Sequence, residues 1–469
     1  MCRKTMKKGI IQIFFSNIIF MIFGILNNFI LPKYLPVDVY ADFKTYILYT
    51  SYVGFMSLGF IHGMFLKYGG KTLNEARNEK CGSAIKTFCA FQMVLTGIVI
   101  VFGLSCRSTI TVLFGLSIFS ANVVNLYKNF STATAEYKVF SISTSFEKTI
   151  IFVVNTILVF LFRCDNFVIY SLVIIAVLFI EIIYYRLVFE NKSKGIHKGS
   201  IEISIAREIM ALGIILLLGS GVSTLFTGID QWFIKFLMDK PAFASYSFAV
   251  SMERIIALFI TPITTVLYNY FCKEKAGEHN DYLKQTLLIW SFLILAITYP
   301  LKWVVQTFIS NYNDSIAIIS ILFCGQALNC IINGIYVNKY KAEKKQNYFL
   351  KQMGLMTVLS IVLNGVMYSL FHSMIGIAFA TLITKYIWLL WCELDSQYYK
   401  YSFWENVDII ILIVCLIICS KIGNSILGFF IYILIWMALV WITMKDTSLR
   451  LLKDVKGQIK KYRKDFKYE

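Results

Sequence analysis

Apolar runs of 18 residues or more recur along this chain from Gly9 to Trp441, and each is long enough to cross a hydrocarbon core of ~30 Å. In that solvent the backbone must satisfy its own hydrogen bonds, and runs of this length do so as α-helices. Only 15% of the 469 residues are charged and 58% are hydrophobic, whereas soluble domains carry about 25% charged residues. The fold class is therefore an all-α polytopic membrane protein.

Expected spans fall at about 10–31, 44–66, 84–105, 108–127, 147–163, 167–188, 207–237, 243–271, 285–309, 315–338, 352–371, 373–392, 406–421 and 424–444, about 14 transmembrane helices in all. The loops alternate in charge. Lys67, Lys71, Arg77 and Lys80 share one side with Lys128 and Lys138, with Arg186, Lys192, Lys194 and Lys198, with Lys273 and Lys275, and with Lys339, Lys341, Lys344 and Lys345. The other side holds isolated cations such as Lys33, Arg107, Arg163 and Lys240. By the positive-inside rule the basic side, with both termini, is cytoplasmic. Such placement also accounts for the net charge of +18 without a nucleic-acid partner.

The stretch FILPKYLPVDVYADF after the first span is echoed by FIKFLMDKPAFASY after the seventh. This predicts two six-helix lobes in a parallel pseudo-repeat, plus two C-terminal helices. The organisation expected is an N-terminal lobe over 1–190, a cytoplasmic linker over 191–206, a C-terminal lobe over 207–392, the last two helices within 393–444, and a basic amphipathic cytoplasmic tail over 445–469. The start, MCRKTMKK before an apolar run with no small-residue cleavage site, reads as an uncleaved first span. The 11 cysteines form no CxxC or Cys/His cluster, so no metal site is expected; Cys106 and Cys164, both in outward turns, could pair.

Ionisable groups inside spans are costly and point to function. Glu253 and Arg254 lie deep in the eighth span, with Ser247, Ser251, Arg254, Thr261 and Thr265 at helical spacing. The seventh span offers Ser220, Ser223, Thr227 and Asp230. The tenth gives Gln326, Asn329, Asn333 and Tyr336, the eleventh Thr357, Ser360, Asn364 and Tyr368, and the twelfth Thr381 and Lys385. Gln12, Ser16, Asn17, Asn27 and Asn28 make the first span polar but uncharged. Together these stripes imply a polar cavity whose substrate-binding residues are Arg254, Lys385, Asn364, Asn333, Asn329 and Ser251. Arg and Lys near mid-membrane suit an anionic headgroup such as a diphosphate. The alternative is structural: an Arg254 ion pair with Glu253 or Glu181, and hydrogen bonds between helices for the neutral groups. His62 has no His partner and is assigned no role.

Three segments resemble a known family. PKYLPVDVYADFKTYILYTSYVGFMSLGFIHGMFLKYGGK is similar to the first outer loop and second helix of bacterial O-antigen and polysaccharide flippases, and IDQWFIKFLMDKPAFASYSFAVSMERII to their seventh and eighth helices. IYVNKYKAEKKQNYFLKQMGLMTVLSIVLNGVMYSLFHSMIGIAFATLITKYIW resembles their tenth to twelfth helices. The resemblance implies a member of the multidrug/oligosaccharidyl-lipid/polysaccharide exporter superfamily in the bacterial cytoplasmic (inner) membrane. It implies alternating access and, as cargo, an undecaprenyl-diphosphate-linked oligosaccharide moved to the outer leaflet. The partners expected are that lipid-linked oligosaccharide, the lipid bilayer and other polysaccharide-assembly membrane proteins. No cofactor is expected; coupling to a proton or sodium gradient would fall to Asp230 or Glu253.

Two departures matter. Drug-exporting relatives often carry an acid in the first span, absent here, and peptidoglycan-precursor flippases tend to place Arg in early spans, where this chain has none inside the membrane. The rivals are a multidrug or small-molecule exporter of the same fold and an O-antigen polymerase or lipid-dependent glycosyltransferase. Asp38 and Asp42 resemble acidic residues of such transferases, but the large outer loop those enzymes use is missing, so no enzyme is expected.

Overall fold

The computed structural model describes residues 22–272, 281–395 and 402–454, without the side chains at 258–259, 261–263, 265–266 and 269. Gln12, Ser16 and Asn17, the side chains of Thr261 and Thr265, and the tail beyond 454 lie outside the described residues. The chain divides into two compact units: Met1–Gln231 with Met238–Ala244, and Trp232–Leu237 with Ser245–Glu469.

Unit 1 holds α1 (22–34), α2 (Val37–Thr50), a 3-10 turn (Val53–Ser57), α3 (Phe60–Tyr68), α4 (Leu73–Asn78), α5 (Cys81–Ser105), α6 (Thr109–Ala133), α7 (Tyr137–Phe160), α8 (Phe167–Lys192) and most of α9 (Ile203–Leu237). Unit 2 holds most of α10 (Lys240–Phe271), then α11 (Asp281–Ile294), α12 (Thr298–Phe308), α13 (Ser315–Ile331), a π-helical turn (Ile332–Val337), α14 (Asn338–Ala342), α15 (Gln346–Phe371), α16 (Met374–Asp395), α17 (Phe403–Lys421), α18 (Ser425–Thr443) and α19 (445–454). Among the described residues there is no strand, and 11 helices are long and apolar enough to span a bilayer. The all-α polytopic class stands.

Sequence chemistry sets the helix ends. Ser108, Asn166, Ser402 and Asn424 cap α6, α8, α17 and α18 with side-chain oxygens that accept first-turn amides. Thr72 and Glu75 form a reciprocal capping box on α4, and those Thr72 hydrogen bonds hold the Glu75 carboxyl below its ordinary pKa. Pro241 sits in the first turn of α10, where a missing N–H costs nothing.

The second span departs from the continuous helix expected over 44–66. It breaks between Thr50 and Phe60, where Leu58 and Gly59 both take positive φ, 46° and 84°. Non-helical backbone at membrane depth persists only where protein satisfies it. Gln92 of α5 donates to the Met56 carbonyl at 2.9 Å, and Asn122 of α6 holds the Gln92 amide oxygen at 2.8 Å. Glycine also sets the α3–α9 crossing. A Cβ at Gly63 would run into the Ile209 carbonyl and one at Gly213 into the Gly59 carbonyl, so backbones meet directly, as small residues permit.

Residues 193–202 are docked on α4 and α5 rather than hanging free. Ser193 bonds Asn74 at 2.8 Å, Lys86 donates to the Gly199 carbonyl at 2.9 Å, and the Glu202 amide donates to Thr87 at 2.9 Å. Cys106 and Cys164 are free thiols, so the pairing allowed by their loop positions is not made. Asp42 is engaged by Lys240 at 2.9 Å, not held as a lone acid.

Candidate functional site

In unit 2, three helices bring a chain of polar side chains together. Glu253 comes from α10, Gln326 and Asn329 from α13, Asn333 from the π-helical turn and Lys385 from α16. Lys385 Nζ lies 3.0 Å from Glu253 Oε1, and the Gln326 amide donates to the same oxygen at 2.8 Å. Asn329 then donates to Gln326 Oε1 at 3.2 Å, and Asn333 to Asn329 Oδ1 at 2.5 Å. Each link hands a donor to the next acceptor, so the ladder is polarised along α13.

Local sequence explains this assembly. Gln326, Asn329 and Asn333 follow helical spacing. Asn338 falls five residues on and still lines the same cavity, because the π turn at Ile332–Val337 inserts the extra residue. Its side chain donates to the Thr264 carbonyl at 2.6 Å. Gly325 leaves room for the lysine stem: a Cβ there would stand 3.1 Å from Lys385 Cδ and 3.2 Å from its Nζ. The cavity measures about 180 Å³, and Gln326, Asn329, Asn333, Asn338, Thr264 and Lys341 are its polar walls.

Glu253 and Lys385 are 8% and 7% exposed, so their charges neutralise each other inside the unit. The partner of Glu253 is thus Lys385, not the Arg254 of the structural alternative. Glu181, the other partner considered for Arg254, belongs to unit 1, where it faces Ser143 and Lys128. Arg254 itself is exposed and has no ion-pair partner among the described residues.

The remaining expected residues stand apart from the ladder. Ser251 is buried and donates to the Ser247 carbonyl at 2.7 Å. Asn364, fully buried on α15, donates to the Ser360 carbonyl at 2.7 Å, while its Oδ1 has no hydrogen-bond partner. Asp230, buried in unit 1, accepts from the Gln231 amide at 2.8 Å.

Sequence reasoning did not assign Gln326, Asn338 or Lys341 to the site. Gln326 was visible in the α13 stripe; Asn338 was not, because only the π turn brings it round. Two further networks were also missed, one half-buried in unit 1 and one buried in unit 2. Lys128, expected in a loop, lies within α6 and pairs with Glu147 of α7 at 2.5 Å, while Lys148 holds the other Glu147 oxygen at 2.6 Å. In unit 2, Lys284 sits between Glu393 at 2.9 Å and Glu405 at 2.7 Å. Asn406 and Gln285 complete those carboxylates at 2.8 and 2.9 Å. Among the described residues no cluster of metal-ligating side chains occurs.

This succession of helices has a fold shared with solved membrane transporters. Among solved structures, the lipid II flippase MurJ in its inward closed conformation matches with a TM-score of 0.72 at 15% sequence identity, over 93% of this chain and 99% of that one. An inward-facing multidrug resistance MATE transporter of the MOP superfamily matches with a TM-score of 0.52 at 10% identity, over 80% of this chain and 93% of that one. No family model and no curated protein sequence matches the chain.

Proposed function

We propose that the protein is a flippase of the bacterial inner membrane, with both termini cytoplasmic. It moves undecaprenyl-diphosphate-linked oligosaccharide repeat units from the cytoplasmic to the outer leaflet by alternating access, for O-antigen, capsule or exopolysaccharide assembly. The observation that carries this reading is a MurJ-like fold in which an amide-lined cavity adjoins, through Gln326, the neutralised Glu253–Lys385 pair, while the next residue on α10, Arg254, is an exposed cation.

Arg254 is the side chain whose charge remains available, and its planar fork matches diphosphate oxygens. Asn329 and Asn333 present amides that suit the hydroxyls of a sugar. Protonating Glu253 would release Lys385 from its partner and hand a second cation to the diphosphate, which gives a proton gradient a place to act. Asp230 is the other candidate for coupling. The multidrug reading is disfavoured by the uncharged first span, and the transferase reading by the engagement of Asp42 with Lys240.

Depletion of the protein in cells tests the assignment. Lipid-linked oligosaccharide should accumulate on the inner leaflet while surface polysaccharide falls. Normal surface polymer in depleted cells would refute it.

A further inference from the structure

A second cavity, about 340 Å³, lies in unit 1 at the end of α5 and α8 that carries the basic loops. Lys86, Arg186, Lys198, His197, Glu190 and Leu187 line it. The three cations are exposed side chains. Glu190 is an anion on the same wall, its carboxyl held below its ordinary pKa chiefly by the Gly195 amide it accepts at 2.6 Å, so three cations against one carboxylate leave the lining with a net positive charge. Burial lowers the His197 imidazole below its ordinary pKa, so it contributes no charge near neutral pH. The walls are fixed in place. Lys86 is tied to the Gly199 carbonyl at 2.9 Å, and His197 contacts the Arg186 carbonyl at 3.3 Å.

The charges end two apolar stripes. On α5, Met93 lies seven residues beyond Lys86 on the same helical face, with Val94 beside it, and both are exposed. On α8, Ile183 and Phe179 lie three and seven residues before Arg186, also exposed, and Leu187 is exposed at the rim. Both stripes run from the charges toward the membrane interior. A cationic cup at the head of an exposed apolar surface fits an amphiphile with an anionic head.

We propose that this pocket binds the phosphodiester headgroup of an anionic phospholipid, whose acyl chains lie along the exposed flanks of α5 and α8. The site is separate from the Glu253–Lys385 ladder and does not depend on which cargo the protein moves. Basic pockets at the cytoplasmic ends of membrane helices hold anionic headgroups by such charge-assisted bonds. Arg186 would supply the planar fork and Lys198 a mobile point charge, with Lys86 restrained by its carbonyl contact.

The test uses the full-length protein purified in detergent, titrated with phosphatidylglycerol or phosphatidylcholine. Native mass spectrometry counts retained lipid, and the thermal midpoint reports stabilisation. Wild type should retain phosphatidylglycerol in preference to phosphatidylcholine and gain thermal stability from it. Arg186→Gln with Lys198→Gln, which spares the Lys86 anchor, should weaken that binding by roughly tenfold or more. The charge-matched pair Lys138→Gln with Lys351→Gln, both exposed and outside the pocket, should bind as wild type does. Unchanged retention in the pocket variant overturns the proposal, as does equal loss in the control pair. Inorganic phosphate alone reproducing the full thermal shift would assign the pocket to a free anion and likewise overturn the lipid assignment.

Discussion

Replacing Lys385 by methionine leaves the Glu253 carboxylate 8% exposed with Gln326 as its remaining hydrogen-bond partner in the ladder. At 3.0 Å the ion pair is worth ~5 kcal/mol of Coulomb energy for an effective dielectric of about 20, much of it offsetting desolvation. Removing one partner exposes that desolvation cost, and Lys385→Met should destabilise the protein by ~3–5 kcal/mol. The double variant Glu253→Gln/Lys385→Met replaces both charges and keeps an amide for Gln326, so it should recover most of the loss. Thermal unfolding in detergent, followed by tryptophan fluorescence and size-exclusion recovery, compares the two singles with the double. If the double is as unstable as Lys385→Met alone, the two side chains are not a coupled buried pair.

Three other outcomes are expected. Gln92→Leu strands the Met56 carbonyl and the Asn122 amide, and should cost ~1–3 kcal/mol in the same unfolding assay, while Gly97→Ala, with open space around it, should not. A membrane-impermeant thiol reagent should label exposed native Cys106 in intact cells and spare exposed Cys272, as read by peptide mass spectrometry; the reverse pattern inverts the orientation and the direction of transport. If protons act through the ladder, Glu253→Gln should remove the response of transport to an imposed pH gradient, whereas a full response in that variant moves coupling to Asp230.

The spans were legible because apolar length is a strong signal and the bilayer leaves helices as the economical solution. Their interruptions were less so. Nothing in Tyr52–Gly59 lowers hydropathy enough to mark a break, and the groups that stabilise it, Gln92 and Asn122, lie far along the chain. The α13 stripe showed in the spacing of Gln326, Asn329 and Asn333, but Asn338 left the 3.6-residue register at the π turn. Choice of ion-pair partner was beyond the sequence. Glu253 and Lys385 are 132 residues apart, and Arg254 stands next to Glu253 in the chain yet points its charge elsewhere. Lys128 was misplaced because α6 runs to Ala133, past the end of its apolar run, where Glu147 and Glu181 make a half-buried lysine tolerable.

The most direct measurement is transport by the purified protein in vesicles loaded with an undecaprenyl-diphosphate-linked oligosaccharide, comparing wild type with Arg254→Lys, Arg254→Gln and Arg254→Met. Arg254 is exposed, so these substitutions should leave folding intact and report on the substrate alone. Charge-assisted hydrogen bonds are worth ~1.5–3 kcal/mol, so Arg254→Gln and Arg254→Met should each lose roughly tenfold to a hundredfold in rate. Arg254→Lys should keep an intermediate rate. Equal rates for wild type and the two neutral variants, at matched protein in the vesicles, would contradict recognition of the diphosphate by Arg254.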